Sequence, residues 1–337
     1  MRALLIKMSS LGDVIHALPA VTDAARHGVR FDWVVEEGFA EIVRAHPAVQ
    51  RVFPIAWRRW RGQLGRSLPQ MRDFFSTLRA DRYDAIIDSQ GLIKSSLVSL
   101  LARGSRHGFS HTSAREPWAA FAYGNRIRIA RRQHAIERQR QLFAAAFGYQ
   151  LTDNMASGLE HHGPRDNRVV LLHGTTWESK HYPLQMWQAL AQLISNDGYQ
   201  PVVTWGSPAE EARARQIASV AGATLQNRLS LAELTVQLSS AALVIGVDSG
   251  LSHLSAALAT PTLGLFGSTD GDLTGCRGEA AAILQAQVPC SPCLGKQCRS
   301  YTGAPRQWNH APVQPPCFAT LPPELVWQQG RGMIEAY

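Results

Sequence analysis

The stretch Ala3-Leu4-Leu5-Ile6-Lys7-Met8-Ser9-Ser10-Leu11-Gly12-Asp13-Val14-Ile15-His16 runs from an apolar strand into a turn that carries two hydroxyls, a glycine and a carboxylate. In open α/β sheets, ligands gather at the carboxyl ends of strands, so Ser10 and Asp13 on such a turn mark a candidate working edge. The single glycine, with no Gly-Lys-Ser/Thr after it, matches neither a dinucleotide fingerprint nor a P-loop. A plainer alternative is that Ser10 and Asp13 only cap the helix that follows. The turn alone does not choose between the two.

Outward from this turn, apolar runs of strand length alternate with amphipathic segments of helix length. The pattern predicts strands over 3–7, 31–35, 52–55 and 85–88, and helices over 13–27, 39–45, 68–80 and 92–102. A long helix over 133–148 then ends at a glycine. After a polar stretch that reads as a linker, His161-His162-Gly163-Pro164-Arg165-Asp166-Asn167, the alternation restarts. Strands are expected over 169–173, 200–205, 223–225, 243–247 and 262–266, and helices over 184–196, 209–221, 231–240 and 250–259. Such alternation indicates parallel sheets with helices on both faces. The expectation is two Rossmann-like, doubly wound domains, 1–160 and 168–321, facing across a cleft that holds substrate. Residues 306–323 are rich in Pro and read as irregular, and a last helix over 322–337 is expected to return to the first domain.

The chain has 337 residues, 45% of them hydrophobic, which suits two domains. No stretch approaches the roughly 20 consecutive apolar residues that span a bilayer. Residues 1–6 are too short for a signal-peptide core and lack a small-residue cleavage pattern, which predicts a cytoplasmic protein, soluble or at most peripheral. The charge is uneven: residues 1–150 carry 23 Lys and Arg against 12 Asp and Glu, whereas residues 151–337 carry 11 against 14. Arg58, Arg59, Arg61 and Arg66 surround Trp57 and Trp60, and nine arginines lie between Arg103 and Arg140. Arginine suits bidentate recognition of phosphate or carboxylate. Nucleic acid, anionic lipid or a merely solvated basic face would each explain the excess, but no zinc finger, RNA-recognition signature or basic zipper supports nucleic acid.

Three strand ends of the second half carry matching chemistry. His173-Gly174-Thr175-Thr176 is followed by Lys180; Trp205-Gly206-Ser207 is followed by Glu210; and Asp248-Ser249-Gly250-Leu251-Ser252-His253 opens a helix. Hydroxyls, a lysine and a helix N-terminus can together hold a diphosphate, and a carboxylate such as Glu210 suits a ribose diol. The plainer readings are an ordinary helix cap at 248–250 and a core histidine at His253. Four such loops at four strand ends favour a site.

These residues resemble the heptosyltransferase I branch of the bacterial ADP-heptose:lipopolysaccharide heptosyltransferases, enzymes of the glycosyltransferase-B fold. The resemblance rests on Lys7 to Asp13, 31–40, Arg58-Arg59-Trp60-Arg61, Asp88-Ser89-Gln90-Gly91-Leu92, Ala114-Arg115-Glu116-Pro117, His134-Ala135-Ile136-Glu137-Arg138, Thr175-Thr176 with Lys180, Trp205-Gly206 and 248–253, in the same order over about the first 270 residues. It implies an inverting transfer of L-glycero-D-manno-heptose from ADP-heptose to Kdo-lipid A in inner-core lipopolysaccharide synthesis, at the cytoplasmic face of the inner membrane and with no nucleic-acid partner. By resemblance Asp13 is the general base. Thr175, Thr176, Lys180, Glu210, Asp248, Ser249, Gly250 and His253 bind the donor, and Ser10, Arg58, Arg59, Arg61 and Arg115 bind the acceptor. Ser249 stands where the family has Thr and keeps the hydroxyl. The resemblance implies a transfer that runs without a metal, so no cofactor is expected for catalysis.

After Gly275 the chain resembles instead the tail of heptosyltransferase II, so an acceptor already bearing heptose is the alternative; a nucleotide-sugar epimerase of the same shape and a non-catalytic binding protein are more distant ones. In that tail Cys290, Cys293, Cys298 and Cys317 are spaced Cys-x2-Cys-x4-Cys-x18-Cys. In a cytoplasmic protein such clustering favours a structural zinc or iron over disulfides. Free buried thiols are the alternative.

Overall fold

The computed structural model describes residues 1–161, 163–220, 222–299, 301, 303 and 306–337. His162 of the expected linker and Ala221 at the expected end of a helix lie outside the described residues. The chain divides into two compact units, Met1–Leu159 and Glu160–Tyr337.

The first unit is built on strands β1 (Arg2–Ile6), β2 (Arg30–Glu36), β3 (Val49–Ile55), β4 (Arg82–Asp88), β5 (Arg103–Phe109) and β6 (Asn125–Ile127). Its helices are α1 (Leu11–Ile15), α2 (Leu18–Arg26), α3 (Ala40–Arg44), α4 (Trp57–Gly62), α5 (Leu64–Ala80), α6 (Ile93–Leu101) and α7 (Ala135–Phe147). All strands run parallel in the order β3-β2-β1-β4-β5-β6. β1 and β4 are buried almost throughout, as strands covered on both faces must be. Pro54 is tolerated in β3 because that strand lies at the sheet edge.

Three local departures from the sequence reading have physical causes. The helix expected over 13–27 is two helices, α1 and α2, with Pro19 in the first turn of α2, where a missing N–H costs nothing. The second is β5, whose Arg103-Gly104-Ser105-Arg106-His107-Gly108-Phe109 has no apolar alternation. It becomes a strand because its glycines admit neighbours: a Cβ on Gly108 would lie 2.4 Å from the Tyr123 ring. Trp60, read as part of a basic binding cluster, is instead a core residue packed edge-on against Phe74. By contrast α7 ends at Gly148 as expected, in the left-handed conformation with φ 75°.

The second unit repeats the plan with β7 (Arg168–Leu172), β8 (Gln200–Val203), β9 (Thr224–Leu225), β10 (Leu243–Val247), β11 (Thr262–Phe266) and β12 (Ala281–Gln285) in the order β12-β11-β10-β7-β8-β9. Renumbered within the unit, this is the first sheet's order. The helices are α8 (Leu184–Asn196), α9 (Pro208–Ile217), α10 (Leu231–Ser240), α11 (Gly250–Ala257), α12 (Gly271–Thr274) and α13 (Pro323–Ala336). A short hairpin pairs Gln307–Trp308 with Ala311–Pro312 inside the segment read as irregular.

The sequence reading sent the last helix back to the first domain, and the structure corrects this. Val326 and Trp327 on α13 join the core of the second unit, packing on α8 and β10. The Trp327 indole N–H donates to Asp197 Oδ2 at 2.7 Å. Trp327→Ala should therefore cost about 3–5 kcal/mol, the usual range for truncating a buried Trp. A denaturant melt showing a loss below about 1 kcal/mol would mean that α13 is not anchored there.

Candidate functional site

In each sheet the strand order reverses between its first and fourth strands, β1 and β4 in one unit and β7 and β10 in the other. Crevices open at such switch points. Ser10 and Asp13 follow β1, Thr175, Thr176 and Lys180 follow β7, and 248–253 follow β10, whereas Arg58, Arg59 and Arg61 follow β3, Arg115 follows β5 and Glu210 follows β8.

In the first unit the Ser10 N–H and hydroxyl both donate to Asp13 Oδ2 at 2.9 Å. The capping reading of this turn is thus correct, and it does not consume the carboxylate. Asp13 Oδ1 lies 3.7 Å from Lys7 Nζ, and the Asp13 side chain keeps 38% of its exposure. Burial pushes the Asp13 carboxyl up, but Lys7, the Ser10 N–H, His16 and the Ser10 hydroxyl together hold it below its ordinary value. Lys7 is itself buried, donates to the Ser89 carbonyl at 3.2 Å, and is pushed below the usual lysine range by that burial, with Asp13 and Asp88 acting against the shift.

The loop is fixed from β4. Asp88, wholly buried, accepts the Gln90 N–H at 3.0 Å, the Gly91 N–H at 3.2 Å and the Tyr123 hydroxyl at 2.6 Å. Gly91 sits at φ 65°, where glycine has no Cβ penalty. The turn so formed aims Gln90 at β1: its Oε1 accepts the N–H groups of Met8 and Ser9 and its amide donates to the Ser9 carbonyl. Lys94 Nζ donates to the Ser9 hydroxyl at 3.2 Å. The sequence reading quoted Gln90 without giving it a role and passed over Lys94. The available signal was the one used for Lys180: a lysine a few residues beyond a strand end.

The arginines separate into two groups. Arg58, Arg61 and Arg115 are exposed; the charges of Arg58 and Arg61 act on Lys94, and that of Arg115 acts on Lys7. Arg59 pairs with Glu37 at 3.0 Å and donates to Gln70. Of the nine arginines between 103 and 140, several are structural rather than ligand-facing. Arg140 is buried against Asp23 at 2.7 Å, and Arg106, Arg131 and Arg138 donate to the carbonyls of Ala122, Ala114 and Ser113. The charge excess therefore overstates the binding surface.

In the second unit Asp248 is the hub. Its Oδ2 meets Lys180 Nζ at 2.7 Å and accepts the Thr269 hydroxyl at 2.7 Å, and its Oδ1 lies 3.6 Å from His253 Nε2. Burial would raise this carboxyl, but His253 and Lys180 hold it well below the usual carboxylate range. Burial works to lower the His253 pKa, yet the Cys276 sulfur and Asp248 push it up to about 10. His253 is thus buried behind Asp248 and reaches the loop surface through that carboxylate.

Thr175 donates to the Asp248 carbonyl at 3.2 Å while Thr176 is exposed beside it. Lys180 also stands 4.4 Å from the centre of the Trp177 ring. Ser249 caps α11, its hydroxyl accepting the Ser252 N–H, and Gly250 is the first residue of that helix. Glu210 bridges two loops: Oε2 accepts the N–H groups of Gly206 and Ser207, while a Cβ on Gly174 would lie 2.7 Å from Oε1. The arrangement offers a cation, hydroxyls and a helix N-terminus to a diphosphate, with a carboxylate at the neighbouring strand end.

Cys290, Cys293, Cys298 and Cys317 line one cavity of about 20 Å³ together with Ser179, Ser268 and Tyr301. All are free thiols. Burial, reinforced by the other three sulfurs, pushes the Cys317 thiol up to about 12. Among the described residues no three His, Cys, Asp or Glu side chains converge tightly enough to hold a metal ion.

Comparison with known proteins shows the family. Residues 71–302 match the family described as Glycosyltransferase family 9 (heptosyltransferase). The chain is 44% identical to lipopolysaccharide heptosyltransferase 1 of Pseudomonas aeruginosa over 350 aligned residues, covering all of this chain and 99% of that one. It is similar to the E. coli heptosyltransferase WaaC with ADP (TM-score 0.80) and with ADP-2-deoxy-2-fluoro heptose (TM-score 0.78), in each case with 40% identity over 85% of this chain and 94% of the other. The chain belongs to glycosyltransferase family 9, the heptosyltransferases, and is a glycosyltransferase of the two-domain Rossmann-like architecture.

Proposed function

We infer that this chain transfers L-glycero-D-manno-heptose from ADP-heptose to a Kdo residue of Kdo-lipid A, with inversion at the anomeric carbon. The observation that carries this reading is the pairing of two unlike strand-edge sites. One presents a carboxylate held ionised by Lys7 and Ser10; the other presents a lysine, threonines and a helix N-terminus around Asp248. The solved relatives with ADP and with an ADP-heptose analogue support the donor assignment.

In the proposed step Asp13 accepts the proton of the acceptor hydroxyl as its oxygen attacks the anomeric carbon. The bond from that carbon to the diphosphate oxygen breaks, and ADP departs with its electron pair. Lys180, Thr175, Thr176 and the N-terminus of α11 meet the charge that develops on the leaving diphosphate. Glu210 takes the ribose hydroxyls, Asp248 holds Lys180, and His253 holds Asp248. On the acceptor side Ser10 orients Asp13. Arg58, Arg61 and Arg115, with Lys94, meet the carboxylates and phosphates of the acceptor, and Arg59 positions the arginine helix through Glu37. We place the enzyme at the cytoplasmic face of the inner membrane as a peripheral protein; among the described residues no helix is long and apolar enough to cross a bilayer.

Incubation with ADP-heptose and either Kdo-lipid A or a core already carrying one heptose tests the assignment directly. Product is expected on the first acceptor, and turnover only on the second would reassign the chain to the next transfer. Asp13→Asn should fold and lose about 10²-fold or more in turnover, the span for removing a general base. The pH profile carries a further signature. A base held below its ordinary value stays ionised as the pH falls, so the acid limb of kcat/KM lies at low pH; Lys7→Met removes the main stabilising charge and should move that limb upward. A limb that stays in place would separate Lys7 from the base.

For the cysteine segment we propose a structural metal ion held by Cys290, Cys293, Cys298 and Cys317. Four sulfurs around one small cavity, with no carboxylate among its lining residues, suit zinc or iron. Such an ion would draw the thiolates together and staple the segment, without a part in the transfer. Protein purified without chelator should carry about one metal ion per chain, and Cys293→Ser should lower Tm more than turnover. Elemental analysis that finds no metal would reject the site.

A further inference from the structure

Helix α6 is inside out. Its buried face is Ser95, Ser96, Val98 and Ser99, whereas Ile93, Leu97 and Leu100, at the spacing of one helical stripe, are exposed. A surface helix ordinarily buries its apolar stripe. Beside it the 3₁₀ turn Pro117–Ala122 exposes Trp118 at 72% and Phe121 at 68%, the two rings stacked with centroids 5.8 Å apart. The turn packs on α6, and Glu116 Oε2 ties them together by accepting the Ile93 N–H at 2.6 Å. Five of the large apolar side chains most open to solvent therefore lie on two adjoining elements. Contiguous exposure of this kind marks an interaction site.

The charge around the patch identifies the partner. Between Gly91 and Arg132 the chain has eight Lys and Arg against one acid, Glu116, and that acid is the one engaged with Ile93. Arg103, Arg115, Arg126 and Arg128 are exposed, and the Arg126 guanidinium lies 5.6 Å from the centre of the Phe121 ring. Apolar side chains with aromatic ends, carried by a stretch rich in arginine and with a single acid, match the boundary between acyl chains and anionic headgroups. Continuity with the acceptor side agrees: Lys94 follows Ile93 in the first turn of α6, and Arg115 lies two residues before Pro117.

We propose that the face formed by α6 and the Pro117–Ala122 turn is the surface by which this protein docks on an anionic lipid bilayer, with Trp118, Phe121, Ile93, Leu97 and Leu100 entering the interface and the surrounding arginines meeting the phosphates. This rests on the activity inferred above, because a lipid-borne acceptor presents its sugar at that boundary. Docking there sets Lys94 and Arg115 at headgroup height.

Co-sedimentation with vesicles of phosphatidylethanolamine and phosphatidylglycerol, against vesicles of phosphatidylcholine alone, tests the surface. The unaltered chain should bind the first in low salt and lose binding as salt rises. Trp118→Ser with Phe121→Ser should weaken binding by about tenfold or more, as expected when two aromatic anchors no longer enter the interface. Leu97→Gln, on the other element, should weaken it independently. Both variants should keep the unaltered rate on a deacylated, water-soluble Kdo acceptor and lose rate on the same acceptor embedded in vesicles. Vesicle binding equal to that of the unaltered chain in both variants would overturn the proposal. So would light scattering in which the double variant splits a dimer while vesicle binding persists, since the patch would then join two copies. Turnover of the soluble acceptor without vesicle binding would reject the docking surface and leave the activity standing; vesicle binding lost in the variants, with neither acceptor used, would do the reverse.

Discussion

A buried aspartate at the end of the fourth strand organises each unit. In the first, Asp88 ends a central strand of the parallel sheet and is held by two backbone N–H groups and a tyrosine hydroxyl. Burial raises its pKa, and the hydrogen bonds from Tyr123, Gln90 and Gly91 work against that rise. What these bonds accomplish is geometric: they fold residues 88–91 into a turn that delivers Gln90 to the neighbouring strand. Gln90 then satisfies the N–H groups of Met8 and Ser9, which leave the sheet just before Ser10 and Asp13. The placement of the Asp13 carboxylate thus depends on residues far along the chain, at the end of β4 and beyond it.

Asp248 occupies the corresponding place after β10, with the opposite electrostatic character. It is held by Lys180 and His253 rather than by backbone, and stays ionised. The difference follows from what each edge must present. An ion pair at the second edge keeps a lysine ordered, while a hydrogen-bonded cradle at the first shapes the turn, and there Lys7 feels the charges of both Asp13 and Asp88. The same topology therefore supports one edge that offers a carboxylate and another that offers a cation. Both are set by the residue that follows the central strand.

Much of this was legible in the sequence because a parallel strand buried on both faces reads as an apolar run, and the loop after it carries the polar residues. Ser10, Asp13, Thr175, Lys180 and Asp248 are legible for that reason. The strand β5 was not, because its fitness depends on Tyr83 and Tyr123 lying where its glycines leave room: a Cβ on Gly104 would stand 2.5 Å from the Tyr83 carbonyl oxygen. Gln90 and Lys94 were missed for a similar reason, since each acts on Ser9, more than eighty residues earlier. Charge counting misled in the opposite direction. Arg140 and Arg138 contribute to the net charge of the first half, yet one is neutralised by Asp23 and the other holds a loop carbonyl.

The inverted helix shows how a small polar residue makes such a surface affordable. Three serines can be buried in α6 because each hydroxyl returns to a carbonyl of its own helix, Ser95 to Leu92, Ser96 to Ile93 and Ser99 to Ser96, at 2.7 to 2.8 Å. No donor is left without an acceptor inside, so the core side of the helix needs no large apolar residue beyond Val98. The leucines are then free to occupy the outer stripe. That the sequence spends its apolar residues outward, beside two exposed aromatics and among arginines, places the purpose of the stripe outside the folded chain.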